Sequence, residues 1–572
     1  MSVMLASEAD TLMKFKHNDP SVDKDGLALI NFFIQDQQKL TAVEKFARQH
    51  DAHTPPLHEK YYRDLIPLEK PAKGEQYAFE VDLDACTGCK ACVTACHSMN
   101  GLQDDEVWRT VGLLQGGTES APLFQMVTSA CHHCAHPACM DGCPVKAYEK
   151  DVFTGIVKHL DDQCIGCQYC VLKCPYDVPK YNAKLGIVRK CDMCSSRLAA
   201  DEAPACVQAC PSSAIKIAVI KVDDVAKRAA CNEFLPGAPA PDYTLPTTRY
   251  LKKKALPANT IAADAHRATP EDSHMPLVFM LVLSQLSVGA FAIDWIMSLL
   301  APGNAMGDTL GSSRPICMAA AFLCGFFGLN AAILHLGRPL YAFRAVLGFR
   351  TSWMSREIIA FSAYLGAASG YAASFWLPKF GIEIPPAIVP ALRVSTVVTG
   401  ALGVFCSMMI YIDTRRVFWK APQTAIKFGL STIVLGLAAF LIFKTAHATF
   451  TGAALQGNRP LCAALAGAAV LKMVYEAQIF RHLKKFAPPH PLKKSALLMA
   501  RDLVLATNLR FTLGVIGGFI LPLMLMGPIA HSGIALFFAA ASGGTLLISE
   551  LLERYLYFRA VVALKMPGGM AA

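Results

Sequence analysis

Residues 164–181 read CIGCQYCVLKCPYDVPKY. Cys164, Cys167 and Cys170 stand at intervals of three, Cys174 follows four residues later, and Pro175 comes next. In this C-x2-C-x2-C-x3-C-P spacing three close thiolates hold one iron–sulfur cubane, and the fourth, a short helical step further on, reaches a second cluster. The proline then turns the chain away. The same grammar recurs on both sides. Residues 86–96, CTGCKACVTAC, supply Cys86, Cys89, Cys92 and Cys96. Residues 131–144, CHHCAHPACMDGCP, supply Cys131, Cys134, Cys139 and Cys143, with Pro144 following. A last group, Cys191, Cys194, Cys206 and Cys210, is followed by Pro211. Sixteen of the 21 cysteines therefore lie between Cys86 and Cys210.

Zinc and disulfides are the competing readings. Structural zinc uses separated C-x2-C pairs, and the second group alone, with His132, His133 and His136 beside it, would pass for such a site. Four consecutive groups ending in x3-Cys, three of them followed by proline, fit iron better. Disulfides belong to exported chains. Met1–Asp19 has neither a basic start with an apolar core nor a twin-arginine pair, so no export signal is expected. Sixteen ligands make four clusters of four. Such a set conducts electrons; it offers no open coordination position with a base beside it, so substrate chemistry is expected elsewhere.

The chain has 572 residues, 53% hydrophobic and only 17% charged, with a mean hydropathy of +0.35. That excludes disorder, an ordinary soluble enzyme and a basic nucleic-acid binder. No nucleic-acid partner is expected. Apolar runs of membrane-spanning length, ~20 residues, occur only from Met275 onward. They lie at Met275–Leu300, Pro315–Leu336, Glu357–Leu377, Leu392–Ile412, Phe428–Thr449, Leu461–Phe480, Phe511–Ala530 and Gly533–Leu552. The fold expected is an α+β double-ferredoxin-type iron–sulfur domain followed by an all-α bundle of eight transmembrane helices. The divisions read as 1–80, a helical arm; 81–234, the four-cluster domain; 235–274, a linker; and 275–572, the anchor. In the arm, Thr41 and Glu44 fit a capping box.

Charge sets the orientation. The loops after the second, fourth and sixth runs and the tail hold eighteen Lys and Arg, among them Arg338, Arg356, Arg416, Arg510 and Arg554. The opposite loops hold four: Arg314, Lys379, Arg393 and Arg459. Positive loops stay in the cytoplasm. Both termini and the iron–sulfur half are therefore expected on the cytoplasmic face of a bacterial inner membrane. The +10 net charge is largely a record of that topology.

Residues from Val81 to about Ile220 resemble the four-cluster electron-transfer subunit of complex iron–sulfur molybdoenzymes of the DMSO reductase type. The stretches CTGCKACVTAC, CHHCAHPACMDGCP, CIGCQYCVLKCPYDVPKY and RKCDMCSSRL (189–198) carry the likeness. The membrane half resembles that family's eight-helix anchor, through residues 275–291, 335–358, 411–428 and 553–569. The resemblance implies four [4Fe-4S] clusters with nested ligand exchange. Cys86, Cys89, Cys92 and Cys210 form one set; Cys96, Cys191, Cys194 and Cys206 the second; Cys131, Cys134, Cys139 and Cys174 the third; Cys143, Cys164, Cys167 and Cys170 the fourth. It also implies a separate molybdopterin-containing catalytic subunit and exchange with the membrane quinone pool without haem.

His335 matches the family histidine implicated in quinol binding. Gln285, Arg338, Arg356 and Glu357 complete the expected quinone site, because ionisable groups in a membrane are costly and therefore functional candidates. Lys472 and Glu476, four apart on one helix, read as an ion pair. Asp294 and Lys444 read as snorkelling toward the outer face. A wire facing the cytoplasm is similar to the subunit plan of cytoplasmic quinone-linked sulfite dehydrogenases, so sulfite oxidation with quinone as acceptor is the expected reaction. Quinol-driven reduction of an S-oxide or oxyanion is the alternative. A membrane iron–sulfur scaffold without a catalytic partner is the alternative of another class.

Overall fold

The computed structural model describes residues 41, 44, 59, 62–300, 310–452, 458–485, 490–527 and 532–569. The chain resolves into two compact units, Met1–Asp64 and Leu65–Ala572. In the first, the capping box is formed: the Glu44 amide donates to Thr41 Oγ1 (3.2 Å) and the Thr41 amide to Glu44 Oε2 (2.6 Å). The rest of the expected arm helices lies outside the described residues.

The second unit begins with the cysteine-rich half. Strand β1 (Glu75–Asp82) buries Tyr77, Phe79 and Val81. It lies between β8 (Ile215–Lys221), antiparallel with Val81 opposite Ile215, and β9 (Arg249–Leu251), parallel with Glu80 opposite Arg249. A hairpin of β2 (Thr110–Thr118) and β3 (Ala121–Ser129) takes β10 (Ile261–Ala262) on its other edge. Two ribbons, β4–β5 (Tyr148–Lys150, Val157–His159) and β6–β7 (Lys180–Asn182, Ile187–Arg189), complete the sheets. Residues 235–274, which read as a linker, thus contribute a strand to each three-stranded sheet.

The first and third cysteine motifs fold alike. Each turns through left-handed backbone at Gly88 (φ 73°) or Gly166 (φ 69°) and again at Lys90 (φ 63°) or Gln168 (φ 59°). Each then enters a helix, α1 (Ala91–Met99) or α3 (Tyr169–Lys173). Glycine takes the first left-handed position because a Cβ is disfavoured there. Short helices α2 (Ala138–Asp141) and α5 (Ala205–Gln208) carry Cys139 and Cys206, and Cys194 caps α4 (Ser195–Ala199).

The membrane half holds α6 (Met275–Leu300), α7 (Arg314–Ala331), α8 (Trp353–Ala373), α9 (Ile388–Ile412), α10 (Ala421–Thr451), α11 (Asn458–Ala477), a short α12 (Pro491–Ala500), α13 (Val504–Val515) and α15 (Ser532–Arg559). A π turn at Ile516–Ile520 joins α13 to α14 (Leu521–Leu525), making one span. Helices α6–α9 pack as one four-helix bundle, and α10, α11, α13–α14 and α15 as another. They meet where Gly289 faces Gly436: a Cβ on Gly289 would stand 2.1 Å from the Thr432 carbonyl. Small residues are what permit backbones to approach so closely in lipid.

Seven of these spans are apolar enough to cross a membrane by composition. The eighth expected span, α8, has the length at 21 residues, but Ser355, Arg356, Glu357, Tyr364 and Tyr371 dilute it. Its polar groups find partners inside: Tyr364 Oη lies 2.6 Å from Ser287 Oγ. Asp294 does not snorkel. It is fully buried between Arg314 (3.2 Å), Arg393 (3.4 Å) and Tyr371 (3.0 Å), tying all four helices of the first bundle. Lys444 is buried as well.

Candidate functional site: a line of cysteine groups ending at the membrane anchor

None of the sixteen cysteines of the four groups is in a disulfide. The fold gathers them in fours across motif boundaries. Cys86, Cys89 and Cys92 share a cavity with Cys210. Cys131, Cys134 and Cys139 share one with Cys174. Cys164, Cys167 and Cys170 share one with Cys143. Cys96 falls among Cys194, Cys206 and Cys191. Among the described residues no three His, Cys, Asp or Glu converge tightly enough to hold a single metal ion; the sulfurs surround space instead. Backbone amides aim at several of them: Ala147 N–H at Cys143 (3.2 Å), Gly166 N–H at Cys164 (3.4 Å) and Ala214 N–H at Cys210 (3.3 Å). Burial pushes the Cys96 thiol up to about 12 and those of Cys143 and Cys174 to about 11. At Cys164 burial is outweighed by the facing His159 imidazole, and the thiol is held below its ordinary range. Thiolates crowded into such a site require a cation to hold them together, so the donor chemistry fits iron–sulfur clusters.

The groups form a line. Cys92 and Cys206 interact across the first junction, and Cys191 and Cys131 across the second. Tyr148, between Cys170 and Cys139, fills the third. The last group, Cys143, Cys164, Cys167 and Cys170, sits against the anchor. The Arg338 amide donates to the Ile165 carbonyl (3.0 Å) and the Gly348 amide to that of Pro144 (2.7 Å). A Cβ on Gly337 would lie 2.2 Å from the Gly186 carbonyl, and one on Gly166 2.9 Å from Gly337 N. Tyr169, next to Cys170, donates to the Ile410 carbonyl (3.1 Å). Lys173 pairs with Asp413 at 2.6 Å.

The five residues expected at the quinone site divide. His335 ends a 3-10 turn (Ala332–His335) two residues before Gly337, half-buried, with its ring edge-on to His274 at 4.9 Å. Glu357 is 7% exposed and accepts a hydrogen bond from Ser407. Arg338 spends its guanidinium on the Asp161 carbonyl (2.8 Å), docking the two halves. Arg356 stacks over Trp353 (4.3 Å) and donates to the carbonyls of Phe349 and Arg350. Gln285 lies elsewhere: its Oε1 accepts from Arg554 (3.1 Å), eleven residues along α6 from His274, about 16 Å at helical rise. From the first bundle it reaches, through Arg554, a buried charge network in the second.

In that network the expected Lys472–Glu476 pair is present at 3.2 Å and is one link of several. Arg510 bridges Glu476 and Glu550, both at 3.1 Å. Lys472 also meets Glu550, and Arg554 pairs with Glu553 at 2.7 Å. Arg510 and Arg554, counted as loop charges in the sequence, are almost wholly buried. The sequence reading also missed His274, Tyr169 and two buried cations between cysteine groups, Arg109 and Lys190. Arg554 had a signal, since it lies in one of the stretches shared with the family, 553–569. Arg109 had none.

Residues 123–220 match the family described as a 4Fe-4S dicluster domain. Residues 272–482 match the DMSO reductase anchor subunit (DmsC); α13–α15 lie beyond that match. The chain is 36% identical over 181 residues to the anaerobic dimethyl sulfoxide reductase B subunit of Haemophilus influenzae, covering 30% of this chain and 87% of the relative. It is 33% identical over 205 residues to the corresponding subunit of Escherichia coli K12, covering 34% and 98%. It is 37% identical over 144 residues to the thiosulfate reductase electron transfer subunit PhsB of Salmonella typhi, covering 25% and 74%. A ferredoxin-type iron–sulfur half of that kind, joined to a multi-pass DmsC-type membrane half, identifies the chain as a member of the DMSO reductase family of electron-transfer subunits, with the membrane anchor carried on the same polypeptide.

Proposed function

We propose that this subunit relays electrons between membrane quinone and a separate molybdenum-containing catalytic subunit on the cytoplasmic face, in the oxidation of sulfite. The observation that carries the relay is the contact of the last cysteine group with the Leu336–Arg338 turn, which sets the end of the line beside His335. Four [4Fe-4S] clusters, held by the sixteen cysteines in the four gathered sets, would supply one-electron steps. The chain's own residues do the rest. Amides from Ala147, Gly166 and Ala214 stabilise the thiolates. Arg338, Tyr169 and Lys173 fix the line against the membrane. His335 and Glu357 are the groups suited to hold and pass the quinone protons. An imidazole is suited to that near neutral pH. Sulfite and water yield sulfate, two protons and two electrons; quinone takes up two electrons and two protons.

The cytoplasmic orientation rests on the positive loops and supports the oxidative direction. The relatives' names, DMSO and thiosulfate reductase, favour the alternative in which quinol drives reduction of an S-oxide or oxyanion. Membranes carrying the complex decide between them. Sulfite-dependent quinone reduction is expected. Quinol oxidation driven by an S-oxide, with no response to sulfite, overturns it. Copurification with a molybdenum-containing subunit is expected, and its absence favours the scaffold reading. A C-terminal tag should be reached only from the cytoplasm.

A further inference from the structure

Arg109, immediately before β2, is 1% exposed, and among the described residues two of its guanidinium nitrogens, Nε and Nη2, have no hydrogen-bond partner. Its Nη1 donates to Thr128 Oγ1 (3.2 Å), which lies 3.6 Å from Cys92 Sγ. The plane sits over the Phe79 ring at 4.6 Å, so the head cannot swing to solvent. Its charge acts on Cys206, Cys92, Cys191 and Cys96, members of the first two sets in the line. Lys190, 3% exposed, occupies the next junction. Its Nζ lies 3.7 Å from Cys131 Sγ and donates to the Cys191 carbonyl at 2.9 Å and to that of Val157. Its charge acts on Cys131, Cys139 and Cys191, with Asp192 nearby. Among the described residues neither cation has a carboxylate within ion-pair distance. A buried charge without a counter-ion costs several kcal/mol. The negative charge that balances Arg109 is therefore that of the cysteine sets it separates, and Lys190 is balanced chiefly by its own cysteine neighbours, with Asp192 contributing.

We propose that Arg109 and Lys190 are the residues that set the reduction potentials along the line, each raising the two cysteine-held clusters that flank it. The inference rests on the four-cluster reading. One electron arriving adds one negative charge to a cluster; a fixed neighbouring cation stabilises that reduced form more than the oxidised one, which raises the potential. The burial of both cations keeps water and salt from screening the effect. The two residues overlap on one set only, that of Cys96, Cys191, Cys194 and Cys206. Neither is among the main charges acting on the membrane-proximal set of Cys143, Cys164, Cys167 and Cys170.

The test is an EPR-monitored redox titration of the purified full-length protein, each signal assigned by one Cys→Ser ligand variant per set. Arg109→Gln should lower the potentials of the Cys86 and Cys96 sets and leave the other two unmoved. Lys190→Met should lower those of the Cys96 and Cys131 sets. Arg109→Lys, which keeps the charge, should stay near the wild-type values. Iron content and the number of signals are read in parallel, and fewer than four clusters would fail the underlying reading rather than this one. Should Arg109→Gln lose iron, Lys190→Met and Arg109→Lys still decide. Unshifted potentials in assembled Lys190→Met, a fall in Arg109→Lys as large as loss of the charge would give, or a uniform shift of all four signals would overturn the proposal.

Discussion

At the scale of single residues, the charges inside the second bundle matter most for stability. Lys472 and Glu550 are each 1% exposed and touch each other, with Arg510 and Ser431 bound to the same carboxylate. Removing one partner strands the others in hydrocarbon. Lys472→Met or Glu550→Gln is expected to cost about 3–5 kcal/mol, read as a lower midpoint in thermal unfolding of the detergent-purified protein. Asp242→Ala, which breaks an exposed pair with Arg415 at 3.4 Å, should cost at most about 1 kcal/mol in the same assay. His335 makes a different contribution. His335→Ala should slow quinol oxidation while leaving reduction of the clusters by dithionite intact; unchanged kinetics would reduce the residue to a partner of His274.

At the scale of elements, the interface between the ribbon β6–β7 and the turn after α7 depends on glycines. Gly337 and Gly186 meet backbone to backbone, and a side chain on either has nowhere to go. Gly337→Ala is expected to cost about 1–3 kcal/mol at this contact. Cluster content should be normal and electron entry from quinol slowed, a combination visible in stopped-flow reduction. The first and third cysteine motifs were legible because their logic is local: in each, three ligands and the left-handed turn at Gly88 or Gly166 lie within seven residues. Helix α8 was legible as a span by length but is less apolar than its neighbours, and its polar groups are accommodated by Ser287 and Ser407 on neighbouring helices. Asp294 and Gln285 were misplaced for the same reason. Asp294 pairs with Arg314, twenty residues on, and with Arg393, about 100 on, and Gln285 meets Arg554, about 270 on; helix periodicity reaches none of them.

At the scale of the whole molecule, the two halves are stitched from both ends of the anchor. Ahead of it, β9 and β10 join the two sheets. Behind it, the tail after α15 returns to the hairpin: the Leu113 amide donates to the Gly568 carbonyl (2.8 Å), and Gly112 bridges Gly569. Asp264 holds the same tail through Lys565 (2.7 Å) and the Gly568 amide (2.8 Å). A protein ending at Arg559 should still place its helices in the membrane, yet its cysteine-rich half should be cut faster by protease and retain less iron. Equal protease resistance would show the tail to be ornamental. The stitch also orders biogenesis. Hairpin β2–β3 is made early by the ribosome, but its last backbone partner emerges only after the final membrane helix has been synthesised. The hairpin therefore gains that partner only once α15 has been made, which ties completion of the soluble half to synthesis of the helices that precede the tail.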